Sequence, residues 1–311
     1  MRRILLTTIV ALSAAGATAV PAAARTHVAV GIGDQSPAIF ADPHLSALKL
    51  KKARYFIRWD AIRHPDAMAA ADAYVAAARR AHVRVLMHIS TNDLRKKRAR
   101  LPSVSQYRRD VGRLVRHFKR RGVHDWGVWN EANHTSQPTW RSPRRAAQYF
   151  REMRRLCGSA CTIVALDVLD QRGVETYIRR FYAALSRTYR SRARLIGIHN
   201  YSDTNRYRSR GTAAIIRTAK RHNRRAGFWL TETGGVVNFG RAFPCSESRA
   251  SKAVRYMFHL ARKYRRDVKR LYAYNWTGAN CRGFDAGLVR ADGSRRPAYY
   301  AFKSQLGGFT R

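Results

Sequence analysis

The sequence predicts an α/β fold, a single (β/α)8 TIM barrel. Three observations point there: short apolar runs recur eight times, helix-patterned stretches separate them, and two scarce carboxylates close the fourth and seventh runs. Strands that alternate with helices imply parallel β-α-β units. Eight such units in about 285 residues match the usual barrel size.

In chain order the strand candidates are residues 27–32, 54–59, 83–89, 124–129, 162–166, 195–199, 227–231 and 270–275. Each is a short apolar run of strand length. The helix candidates between them are 67–81, 103–121, 143–156, 174–190, 212–223 and 247–266. In the first of these, Ala73, Val75, Ala76 and Ala77 supply an apolar side, with Arg79 and Arg80 beyond it. A doubly wound open sheet is the structural rival. Gly31-Ile32-Gly33 follows the first strand as a dinucleotide-binding turn does, but Ser36 stands where the third glycine is required. No linker, repeat or low-complexity segment divides the chain after its N-terminal segment.

That segment has its own pattern. Arg2-Arg3 precede an apolar stretch over 4–20, and Pro21-Ala22-Ala23-Ala24 follow. This is the layout of an export signal, residues 1–24, with cleavage after Ala24 and a mature domain of 25–311. Thr7, Thr8, Ser13, Gly16 and Thr18 interrupt the run, and no second stretch is long enough to span a bilayer. The expected destination is the extracellular, periplasmic or cell-wall space.

The formal net charge is +42, and cleavage would remove only Arg2 and Arg3 from it. Such a field attracts nucleic acid, anionic polysaccharide or an acidic cell surface. The basic residues are spread through the chain, however, and arginines outnumber lysines 50 to 11. GC-rich codons account for that bias as well as a ligand does, so charge alone names no partner. Four cysteines, Cys157, Cys161, Cys245 and Cys281, allow three pairings. The expected ones are Cys157–Cys161, closing a small loop before a strand, and Cys245–Cys281, joining the loops after strands seven and eight. Their spacings match no zinc pattern.

The chemistry rests on two segments, Trp129-Asn130-Glu131 and Thr231-Glu232-Thr233. The chain has only five glutamates, and Glu131 and Glu232 are the two that close apolar runs. Strand ends of an α/β barrel line the active site. The two are 101 residues apart. At roughly 30–35 residues per unit, that separation is three units, which places them at strands four and seven. His199, Asn200 and Tyr201 would end strand six and Trp276 strand eight. No nucleophile elbow, His-Glu-x-x-His or phosphate-binding loop is present, and no metal or organic cofactor is implied.

Trp-Asn-Glu-x-Asn at strand four, His-Asn-Tyr at strand six, Thr-Glu at strand seven and Trp276 together resemble the clan A glycoside hydrolases. Within the clan they resemble families 5, 39 and 128. The resemblance implies a retaining hydrolase of a β-linked glycan, with Glu131 as acid/base and Glu232 as nucleophile. It implies Asn130 on a sugar 2-hydroxyl, Tyr201 on the nucleophile, His199 on substrate or that network, Trp276 as a sugar platform and Arg54 orienting Glu232. Ala132 departs from the proline that many relatives carry there. The implied partner is a polysaccharide or oligosaccharide, with an anionic polymer or surface as a second ligand class and no stable nucleic-acid or protein partner. Two rivals are a non-catalytic carbohydrate- or surface-binding barrel, with Trp59 and Trp276 kept and the carboxylates misplaced, and a charge-driven nucleic-acid binder.

Overall fold

The computed structural model describes residues 26–93 and 100–311, so the expected export signal lies outside the described residues. The strands are β1 (Ala29–Gly33), β2 (Lys52–Arg58), β3 (Arg84–Ser90), β4 (Asp125–Gly127), β5 (Thr162–Val164), β6 (Leu166–Leu169), β7 (Leu195–His199), β8 (Gly227–Thr233), β9 (Asn238–Phe239), β10 (Val268–Tyr274) and β11 (Phe284–Asp285). Nine of them form one parallel sheet in the order β5-β4-β3-β2-β1-β10-β8-β7-β6. β5 and β6 are two pieces of one strand, separated by Ala165, whose N–H donates to the Leu195 carbonyl at 2.8 Å. The order therefore returns on itself, and the fold is a (β/α)8 barrel with its fifth strand in two pieces. β9 and β11 form a separate antiparallel ladder.

The helices form for local reasons. Val104–Lys119 buries Tyr107, Val111, Leu114, Val115 and Phe118, one stripe at helical spacing. Ser103 accepts from the Gln106 N–H at 3.1 Å, and the Gln106 side chain accepts from the Ser103 N–H at 2.8 Å. Such a cap is worth about 1 kcal/mol. The helix expected over 174–190 is two helices, Val174–Ala183 and Arg187–Arg192. Ser186 starts the second by accepting from Tyr189 N–H. A C-terminal helix, Pro297–Gln305, has no counterpart in the sequence reading.

Inside the barrel, alternate residues of each strand point inward. A lower layer holds Leu86, Val164, Trp229 and Tyr272, with the Arg270 guanidinium over Trp229 at 3.8 Å. Arg270 is paired with Asp125. Above lies a charged layer of Arg54, His88, Asp167 and His199, all buried. Two glycines make room for it. A Cβ on Gly127 would stand 1.7 Å from the His88 ring, and one on Gly197 would stand 2.0 Å from Asp167 Oδ1. Both cysteine pairs are bonded as expected, Cys157–Cys161 and Cys245–Cys281. Among the described residues, no helix is long and apolar enough to cross a membrane.

Candidate active site

The charged layer opens at the C-terminal ends of the strands. Glu232 lies near the end of β8, in register with His199 of β7. Glu131 lies past β4, which stops at Gly127 because the chain then bends out of the ladder. The bend is held by Asn130 N–H on the Ile89 carbonyl at 2.7 Å and Ala132 N–H on the Asp167 carbonyl at 2.9 Å. Glu131 takes a φ of 44°. A left-handed non-glycine residue costs on the order of 1 kcal/mol and is retained where its surroundings over-determine it.

One arginine organises the floor. Arg54 Nη1 donates to Glu232 Oε2 at 2.6 Å, Nη2 donates to Asn130 Oδ1, and Nε donates to His88 Nδ1 at 3.1 Å. The other oxygen of Glu232 accepts from Tyr201 Oη at 3.0 Å. His199 Nδ1 is hydrogen-bonded to Glu131 Oε1 at 3.1 Å and lies 3.7 Å from Glu232 Oε2. On its far side, Nε2 stands 2.9 Å from Asp167 Oδ2. The same carboxylate oxygen lies 3.3 Å from His88 Nε2 and 3.9 Å from Arg54 Nη2, and Thr231 donates to its Oδ1.

These contacts decide the protonation states. Burial opposes charge on His199, but Asp167 and Glu232, with the Asp167 and Glu131 contacts, outweigh it and push its pKa up to about 10. Burial takes His88 the other way, down to about 3, with the charge on Arg54 adding to the shift against the pull of Asp167. Burial alone would raise Asp167; His199, His88 and Arg54 hold it well below the usual carboxylate range. For Glu131, burial also acts upward, and the bond and charge of His199 outweigh it and hold the carboxyl low. His199 is thus an imidazolium between two carboxylates, while His88 is neutral, accepting from Arg54.

The structure brings Arg54, Asn130, Glu131, His199, Tyr201 and Glu232 into one constellation. It does not bring Trp276 to the surface. That ring is 1% exposed, its indole N–H donates to Asp42 at 2.8 Å, and it packs edge-on to Tyr299. It offers no free face to a sugar, contrary to the sequence expectation, because the β1 and β10 loops close over it: Asp34 accepts from its backbone N–H at 3.0 Å. Trp59 is buried too. The rings at the mouth are instead Phe284 and Phe239, 37% and 53% exposed. Phe284 packs edge-on to Tyr201 at 5.2 Å, and Phe239 packs edge-on to Phe284 at 5.7 Å. The β9–β11 ladder presents them, with the Cys245–Cys281 bond beside it.

Sequence reasoning missed Asp167, although its signal was present: a carboxylate inside the apolar run Ile163-Val164-Ala165-Leu166-Asp167-Val168. It also missed Phe284, which lies in no periodic segment. One donor atom from each of Glu131, His199 and Glu232 lies within 4.8 Å of the others, a spacing that also suits a divalent ion. Arg54 on Glu232 and the charged His199 already place two positive charges there, which works against a cation.

No protein-family model matches the chain, and no curated protein matches it in sequence. Solved structures do resemble it. Xylanase XynB of Paenibacillus barcinonensis aligns at TM-score 0.66 and 12% identity over 92% of this chain and 100% of its own. Xylanase 10B of Thermotoga maritima aligns at 0.61 and 14%, over 90% and 95%. A GH113 β-1,4-mannanase aligns at 0.60 and 12%, over 91% and 99%. These likenesses show the barrel fold over nearly the whole chain. They come from glycoside hydrolase groups other than families 5, 39 and 128, so the finer family resemblance is not what they show.

Proposed function

We propose that this protein is an exported retaining glycoside hydrolase that cleaves a β-linked glycan by double displacement. The observation that carries this reading is the carboxylate pair at the mouth, where an oxygen of Glu131 lies within 4.8 Å of an oxygen of Glu232. Retention needs carboxyl groups ~5–5.5 Å apart, and inversion needs ~6.5–9.5 Å to admit a water. Xylanases, a mannanase and a β-glucosidase among the structural neighbours support a glycan substrate. Two disulfides and the export pattern of residues 1–24 support an oxidising destination outside the cytoplasm.

Each group then has a role. Arg54 and Tyr201 bond opposite oxygens of Glu232, fixing its orientation and meeting its charge; Glu232 is the nucleophile. Glu131 and His199 hold one proton between them. As the leaving oxygen reaches Glu131, that proton passes to it while Glu232 bonds to the anomeric carbon. Glycosylation removes the charge of Glu232, one of the charges favouring the imidazolium. Glu131 then takes a proton from water, which attacks the intermediate and frees Glu232. Asn130 gives its carbonyl to Arg54, which leaves its amide N–H groups for a sugar hydroxyl. Phe284 and Phe239 supply apolar faces for sugar rings.

The test uses two variants and one anion. Glu232→Ala should lose nearly all hydrolysis, and azide should restore part of it with inverted product. Glu131→Ala should keep activity on substrates with good leaving groups, and azide should then give the retained glycosyl azide. The stereochemistries are opposite, so one experiment assigns both roles. Wild-type protein that cleaves no β-glycan, with both variants binding glycan unchanged, would sink the reading in favour of a binding module.

A further inference from the structure

The loop after β4 leads from Glu131 through Asn133 to Trp140. Asn133 and Trp140 line a hollow of about 380 Å³ together with Gln171, Arg172 and Tyr177. Trp140 is 37% exposed. The next residue, Arg141, stacks its guanidinium on the Trp140 ring at 4.2 Å and lines a second hollow of about 530 Å³ with Arg144, Arg145 and Arg180. No acidic side chain lines either hollow. Elsewhere several carboxylates are taken by arginines: Glu152 by Arg155 at 2.9 Å, Glu247 by Arg290 at 2.6 Å and Asp285 by Arg296 at 2.7 Å. Arg145 donates instead to Gln148 and to the Pro102 carbonyl. Among the described residues, the four arginines of the larger hollow meet no carboxylate.

We propose that the glycan cut at Glu131 and Glu232 is acidic and extends along the loop after β4, with Trp140 against a sugar ring and Arg141, Arg144, Arg145 and Arg180 pairing with its anionic substituents. The inference rests on the hydrolase reading of Glu131 and Glu232 and adds the substrate class to it. Guanidinium forks match planar carboxylates and also bond sulfate or phosphate oxygens. The aromatic ring and the charges are contiguous through Trp140 and Arg141, so one chain can engage both. This assigns a local role to part of a net charge whose overall size carries none. Arginines occur in a hollow at the opposite end of the barrel too, where Arg79, Arg84 and Arg121 stand by the N-terminal ends of β3 and β4. There Arg121 is already paired with Asp72 at 3.1 Å.

Three polymers on one β-linked backbone test it: carboxymethyl cellulose, cellulose sulfate and neutral hydroxyethyl cellulose. Binding is measured by titration calorimetry on the Glu232→Ala protein, so that no chain is cut. The buffer holds about 0.15 M salt, at which fields beyond roughly 8 Å are screened. The protein should prefer one or both anionic polymers to the neutral one; comparing the two shows whether carboxylate or sulfate is read. Replacing Arg144 and Arg180 by alanine should weaken anionic binding about tenfold, the size of one charge-assisted hydrogen bond, and leave neutral binding unchanged. The Arg79→Ala, Arg80→Ala protein, with the same loss of charge at the other end, should bind as the parent does. Equal loss in both double variants would replace the pocket with a global field and overturn the proposal. Equal binding of charged and neutral polymers, or no binding of either anionic one, would overturn it as well. A Glu232→Ala protein that still hydrolyses glycans would instead refute the catalytic reading, and the binding comparison would then be read on the Glu131→Ala, Glu232→Ala protein.

Discussion

Asp167 stands 2.9 Å from His199 Nε2, and across that ring Glu131 is hydrogen-bonded to Nδ1 at 3.1 Å. The acid/base candidate is therefore joined, through one imidazolium, to a carboxylate buried in the barrel. The same carboxylate also faces His88 and Arg54. It is the counter-ion that lets two charged side chains, Arg54 and His199, share a dry layer with the neutral His88, where unpaired charge is costly.

The first prediction concerns that counter-ion. Asp167→Asn keeps the shape and removes the charge. After burial, which opposes it, Asp167 is the leading cause of the rise of His199 to about 10. Without Asp167, His199 should lose its proton at lower pH, and with it the proton that Glu131 needs. The alkaline limb of kcat/KM should move acidward by about one unit or more. Stability follows the same sign. A raised histidine pKa adds stability that is complete below about 6.5 and is lost as pH rises through about 10. Wild-type melting temperature should fall across that window more steeply than that of the variant. The variant should also be less stable near neutral pH by up to about 3–5 kcal/mol, because Arg54 and His199 lose a buried counter-ion. An unmoved alkaline limb in a folded variant would refute the role.

Arg54 tests whether geometry or charge holds Glu232, the proposed nucleophile. Its three nitrogens serve three partners at once, Glu232, Asn130 and His88. Lysine keeps the charge and cannot make that fork. Arg54→Lys should lower kcat about 10²–10³-fold, the range seen when one preorganised donor to a reacting group is removed. KM should change little. If steady-state kinetics show kcat within a fewfold of wild type, charge alone suffices and the fork is dispensable.

Much of this was legible in the sequence. The eight strands lie where the apolar runs are, with β7 matching its expected bounds and most others within about two residues, because parallel barrel strands buried on both faces are continuous apolar runs. Glu131 and Glu232 stood out because a carboxylate ending such a run has no structural reason to be there. The misses have physical causes. Asp167 breaks an apolar run, but its partners, Arg54, His88, His199 and Thr231, come from four other strands, so its role as their common counter-group shows only once the barrel closes. Trp276 reads as a platform at a strand end, but the loop holding Asp34 and Asp42 bonds its backbone and its indole, and the ring is covered. Phe239 and Phe284 reach the mouth only because a two-residue ladder pairs segments 45 residues apart. Short loop pairings leave no periodic trace.

The last prediction follows from that ladder. Phe284 ↔ Phe239 and Asp285 ↔ Asn238 are its two registered pairs, and the Cys245–Cys281 bond ties its flanks. Cys281 N–H also donates to Asp285 at 3.0 Å, so bond and ladder share one segment. Phe284 meets Tyr201, whose hydroxyl bonds Glu232, but carries no polar group into the reaction. Its contribution should therefore be uniform binding of the sugar in ground and transition states alike. Phe284→Ala should raise KM about three- to tenfold on a polymeric substrate, the size of one aromatic stacking contact, and leave kcat nearly unchanged. Tyr201→Phe, which removes the bond to Glu232, should lower kcat instead. Replacing both Cys245 and Cys281 by serine frees the ladder's flanks and should reproduce the Phe284→Ala phenotype while activity on a small aryl glycoside persists. If Phe284→Ala lowers kcat as Tyr201→Phe does, the ring acts by holding Tyr201 in place, and the wall is support for the nucleophile and not a surface for the sugar.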